Sequence, residues 1–149
     1  MEAGSVLIQF QDLGYMAALA LAATGSALGT GAAGMAAIGA WKKCYAQSKA
    51  APFQLTVFAG APLSQTIYGL IVMLTIKGRA DAGTYLWWAG IFGGLAMGMS
   101  AWMQGKAGAA AADALAETGK GFTNYLLVLG IIETVALFVM AFILLSAFA

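Results

Sequence analysis

"GIIETVALFVMAF", residues 130–142, places one carboxylate, Glu133, inside an otherwise apolar stretch. The run around it, residues 121–149, carries no other charge. A spanning helix needs about 20 mainly apolar residues, so this run is long enough to cross a bilayer. Further out, residues 13–41, 53–76 and 82–105 carry no charge at all, and each is long enough too. Apart from Glu2, Asp12 and Glu133, every charge falls between the runs, in "KKCYAQSKAAP", "KGRAD" and "KAGAAAADALAETGK". The pattern predicts an all-α membrane protein with four transmembrane helices, at about 12–42, 53–77, 84–112 and 122–148. They group as two tandem helical hairpins, residues 1–80 and 81–149.

The bulk numbers agree. The chain has 149 residues, 62% hydrophobic and 9% charged, with a mean hydropathy of +0.86, too little polar surface for a soluble domain of this length. A net charge of +1 gives no reason to expect a nucleic-acid partner. Histidine is absent, which removes the commonest metal ligand and the usual general base. Cys44 is the one cysteine and reads as an inert structural thiol. No G-x-x-x-x-G-K-[ST] loop is present, so the chain is not expected to bind nucleotide or to be an enzyme on its own.

The start, "MEAGSVLIQFQD", has two acids and no Lys or Arg, the wrong flank for a cleaved leader, so the first helix is expected to stay. Orientation follows the basic residues of the short loops. Lys42, Lys43 and Lys49 follow the first run and Lys106 and Lys120 the third, against Lys77 and Arg79 after the second. Both hairpin loops are therefore expected in the cytoplasm, with both termini opposite. Trp87 and Trp88, beside a helix start, read as interfacial anchors, and the methionines as packing.

The halves echo one another. "SQTIYGLIVML" lines up with "IETVALFVMAF", setting Gln65 opposite Glu133 and Thr66 opposite Thr134, as in a near-parallel internal repeat. Helices one and three are rich in glycine and alanine. Gly25 and Gly29, and Gly90, Gly94 and Gly98, recur every four residues and form flat strips where backbones approach closely. Ordinary packing within one bundle accounts for one such strip. Two helices filled with small residues favour many copies crowded into an inner ring.

Glu133 lies about twelve residues from one end of its run, which at about 1.5 Å per residue is near the bilayer midplane. A carboxylate there costs at least about 2.5 kcal/mol on insertion scales. It must be protonated, paired or bound to a cation, and no Lys or Arg lies within any of the four runs. Ala61, Ser64, Gln65 and Tyr68 follow i, i+3, i+4, i+7 and share one helix face. Pro62 removes an amide donor there and frees a carbonyl four residues earlier. Gln104 comes from near the cytoplasmic end of the third run. These oxygens suit a hard monovalent cation rather than zinc or copper, and Tyr68 can donate its O–H to the carboxylate. Taken singly, Ser64 or Gln104 reads as an interhelical contact. Thr24, Thr30, Thr66 and Thr134 are expected to bond to their own helix backbones.

The glycine-rich hairpins, "GTGAAGMAAIGA", "PLSQTIYG", "QGKAGAAA" and "IIETVALF" together resemble the proteolipid, rotor-ring component of V-type rotary ATPases, most of all that of bacterial sodium-translocating enzymes. The resemblance covers essentially the whole chain. It implies that each copy carries one Na+ at Glu133, with Ser64, Gln65, Gln104 and the Ala61 backbone carbonyl as further ligands and Tyr68 locking the carboxylate. Serine stands at position 64 where the family often has threonine. The implied partners are further copies in a homo-oligomeric ring, a stator membrane subunit bearing a cation, a central-stalk subunit on the cytoplasmic face, and lipid of a bacterial cell membrane. H+ in place of Na+, a four-helix proton-coupled exporter and a non-transporting tetraspan are the alternatives; exporters of that kind hold their glutamate in the first helix, where this chain has none.

Overall fold

The computed structural model describes residues 3–148, with side chains from residue 13 onward; Glu2 and the side chain of Asp12 lie outside the described residues. Everything described is helix, turn or link: α1 (Ala3–Ala46), α2 (Leu55–Gly60), a single 3-10 turn (Ala61–Leu63), α3 (Ser64–Asp81), α4 (Trp87–Thr118) and α5 (Phe122–Phe148). The turn sits where the sequence places Pro62. Proline has no N–H to donate, and the helix tightens for three residues before resuming at Ser64.

Among the described residues, three helical stretches are long and apolar enough to cross a membrane: Leu13–Ala46, Leu55–Asp81 and Phe122–Phe148. They match the first, second and fourth expected spans. α4 is not among them. Its glycines, Ser100 and Gln104 contribute little hydropathy, and fourteen of its residues are buried by the rest of the chain. α5 is the reverse, burying only Leu129, Ala136 and Ala147 and exposing Leu127, Ile131, Phe138, Phe142 and Leu145. An apolar face of this size belongs against hydrocarbon. The chain is an integral membrane protein.

α1 and α4 form the most extensive pairing, and they run parallel. A Cβ added at Gly25 would overlap the backbone of Gly98, and one at Gly105 the backbone of Gly29. Backbones this close are possible only because neither partner carries a side chain at the crossing. The strips noted in the sequence are thus used within one chain. Both helices end on the same side, where Lys43 pairs with Asp113 at 2.6 Å. The pair is exposed and holds little energy, but it shows that the two helices end side by side. Cys44, 2% exposed, lies beside it against the Ala116 carbonyl, as a packed thiol.

The outer helices are laid on this pair. Trp41 Nε1 donates to the Pro52 carbonyl at 2.8 Å, folding the link back onto α1, and α3 then runs antiparallel to α1 with Gly69 against Ala18 and Ala22. α4 ends at Gly119, whose φ of 65° is left-handed and whose N–H caps the Leu115 carbonyl at 2.8 Å. Only a short link remains before α5 starts back along α4. Gln104 is nearer the middle of its helix than the sequence suggested. The alanine-rich stretch after it stays helical to Thr118, despite Lys106, Asp113 and Glu117.

A leucine at Gly25 has to displace the Gly98 backbone rather than a flexible side chain. Gly25→Leu is therefore expected to destabilise the purified protein by at least about 3 kcal/mol, read as a lowered or lost thermal transition. Gly130→Ala, where nothing lies within 4 Å, should leave the transition in place.

Candidate cation site

Glu133 follows Leu129 and precedes Ala136 on one stripe of α5, and both of these are buried, so the carboxylate turns toward the other helices. Tyr68, from α3, donates its O–H to Glu133 Oε1 at 2.6 Å. Gln104, from α4, donates from Nε2 to the Leu129 carbonyl at 3.0 Å and to Glu133 Oε2 at 3.3 Å. Both carboxylate oxygens therefore accept. Among the described residues the ion pairs are Lys43–Asp113 and Lys77–Asp81, and neither reaches Glu133.

The rest of the cluster follows by counting hydrogens. Both N–H groups of Gln104 are used, so its Oε1 is the atom left to face Gln65, and it accepts from Gln65 Nε2 at 2.9 Å. That bond turns Gln65 Oε1 toward Ser64, whose Oγ lies 3.2 Å away. Ser64 Oγ is also 3.1 Å from the Ala61 carbonyl. A hydroxyl has one hydrogen and here meets two acceptors. One of the two contacts is oxygen against oxygen with nothing between. Gln65 and Gln104 are both 0% exposed, so bulk solvent does not reach their amides.

All six residues singled out from the sequence, Ala61, Ser64, Gln65, Tyr68, Gln104 and Glu133, meet in this one chain of contacts. Sequence reasoning missed Ser100. It is 6% exposed and donates from Oγ to the Ile132 carbonyl at 2.8 Å, tying α4 to α5 beside Glu133. Its signal was its place one turn before Gln104 on the same face. Thr24 and Thr134 bond to the carbonyls of Ala20 and Ile131 as expected. Thr30 does not; its hydroxyl is buried without a partner.

Residues 87–146 match the ATP synthase c-subunit family. The matched part spans α4 and most of α5 and carries Ser100, Gln104 and Glu133. It makes this pair similar to a family of non-catalytic, ion-translocating membrane proteins. The match stops short of α1, α2 and α3, so Ala61, Ser64, Gln65 and Tyr68 join the site from outside it. No curated protein matches the chain.

Tyr68→Phe removes the 2.6 Å bond, a charge-assisted contact worth about 1.5–3 kcal/mol. Glu133 should then react at least about tenfold faster with a carbodiimide, which attacks the protonated carboxyl, in a labelling time course at fixed pH.

Proposed function

We propose that the chain is the membrane rotor-ring subunit of a V-type rotary ATPase, each copy carrying one Na+ at Glu133. The observation that carries this reading is the shortage of hydrogens at the site. The one hydroxyl hydrogen of Ser64 faces both Gln65 Oε1 and the Ala61 carbonyl, which already accepts from the Ser64 N–H, and Glu133 accepts twice. A small hard cation set among them relieves the oxygen contact and cancels the carboxylate charge together. All the donors to such a cation are oxygen, and one negative charge balances one positive charge. A protonated Glu133 has to give its hydrogen away, yet the Tyr68 hydroxyl and the Gln104 amide are both turned to donate to it. That favours sodium over a proton.

Ring assembly is supported by what α1 leaves unpartnered. Gly31, Gly34 and Gly39 meet nothing within 4 Å in the chain, although glycine costs a helix about 1 kcal/mol relative to alanine. Crowding against a second copy gives them a use. In the ring, α4 is the third of the four expected spans. Shielded by α1, α3 and α5, it need not be strongly apolar itself. The two links on the Lys43–Asp113 side face the cytoplasm and the central stalk, following the basic residues.

Coupling then follows from charge. A filled, neutral site can turn to face lipid at tolerable cost, whereas a bare carboxylate cannot. Emptying and refilling are confined to a stator interface, where a cationic side chain holds the bare carboxylate. Ion occupancy and rotation are thereby linked, and ATP is handled by other chains.

Sodium should protect Glu133 from carbodiimide labelling in the isolated membrane complex. Labelling indifferent to sodium at every pH would instead assign the proton as cargo. Images of purified particles should show a ring, and a dimer or monomer would support an exporter or a tetraspan. Glu133→Gln is expected to abolish ion transport in reconstituted vesicles, by at least about 100-fold given the cost of a missing charge partner, with the ring still assembled.

A further inference from the structure

Hydroxyls on membrane helices have a default partner, the carbonyl three or four residues back on their own helix. Thr24, Thr75, Thr118, Thr134 and Ser146 all take it, at 2.7–2.9 Å. Ser26 and Thr30 do not. Both hydroxyl oxygens are buried with no partner, and Ser26 is 2% exposed. An unmet buried hydroxyl costs about 1–3 kcal/mol, and here the local bond that would avoid this cost is left unmade.

Their position is informative. α1 and α3 are antiparallel, and two contacts fix the register: Ala22 meets Gly69, and Gly29 meets Pro62. The same register sets Ser26 level with Gln65 and Thr30 level with Ala61. These are two of the residues proposed to hold the cation, approached from the helix that supplies none. Gln65 Nε2 uses one of its two N–H groups on Gln104. No second partner is found for it among the described residues, although Gln65 is 0% exposed. Two orphan hydroxyls one helical turn apart, about 6 Å along the axis, and a spare amide hydrogen level with the first of them thus line one stretch of the α1–α3 contact. A buried water makes two to four hydrogen bonds to polar groups that lack partners, and these are such groups.

We infer that Ser26 and Thr30 hold one buried water against the amide of Gln65, forming a back wall that fixes the cation-facing oxygens. The water accepts from the spare N–H of Gln65 and exchanges hydrogen bonds with the two hydroxyls. Gln65 Oε1 is thereby kept turned toward Ser64. Ser26 and Thr30 are positioning residues and do not touch the cation. The inference rests on the reading of the site as a cation carrier, but its first test does not.

That test is a high-resolution map of the assembled complex. Density for a water between Ser26 Oγ, Thr30 Oγ1 and Gln65 Nε2 is expected. Hydroxyls turned back onto the Ala22 and Ser26 carbonyls, with no density between the helices, would overturn the inference whichever cation is carried. The second test is the sodium concentration that half-protects Glu133 from carbodiimide. In the Ser26→Ala, Thr30→Val double variant it should rise about five- to tenfold, the loss of roughly one hydrogen bond at the site. Thr30→Ser, which keeps a hydroxyl, should stay near the parent. An unchanged value in the double variant, with the ring intact, counts against the inference. Parent labelling that ignores sodium counts against the sodium reading alone, and the map still decides the water.

Discussion

A carboxylate within hydrocarbon needs hydrogen-bond donors for its oxygens and a positive charge to cancel its own. Glu133 has the donors, Tyr68 and Gln104, one from each of two other helices. Among the described residues no positive side chain pairs with it. The arrangement around it reads as a response to that imbalance. Gln104 is held by the Leu129 carbonyl, Gln65 is turned by Gln104, and Ser64 is left with more acceptors than hydrogens. The orientation of each group is dictated by the one before it, starting from the acid.

Such a chain of contacts works only if α3, α4 and α5 are held at fixed depths. The parallel pair α1 and α4 does this. Where Gly25 meets Gly98 and Gly29 meets Gly105, backbone lies against backbone, and little sliding is possible without overlap. α4 carries Ser100 and Gln104 on the face it turns to α5. The scaffold contact and the site are therefore two faces of one helix.

Much of this was legible in the residues. The uncharged runs marked the helices, and the last one runs from Phe122 to Phe148, matching its expected limits. The i, i+3, i+4, i+7 face of Ala61, Ser64, Gln65 and Tyr68 does turn into the cluster, Tyr68 to Glu133 and Gln65 to Gln104, because helical periodicity fixes a face whatever the tertiary partner. Depth was less legible. Gln104 was set near the end of its helix because Lys106, Asp113 and Glu117 read as a loop, whereas an alanine-rich segment stays helical through a few charges. The dominance of the α1–α4 pairing was hidden as well. Glycine strips show that a helix face is flat but not which partner lies on it. Ser100 and Ser26 look alike in sequence, and only packing separates the hydroxyl that clamps a neighbouring carbonyl from the one left without a partner.

The direction of the amide relay has a mechanical consequence. Gln104 cannot turn over without setting its oxygen against both the Leu129 carbonyl and the carboxylate, and Gln65 cannot turn over without setting its nitrogen aside from Gln104. Neither amide can reorient alone, so the shape of the cluster is set as a whole rather than group by group. On the proposed reading, a cradle of this kind discriminates among cations by stiffness, since it does not shrink around a smaller ion or swell around a larger one.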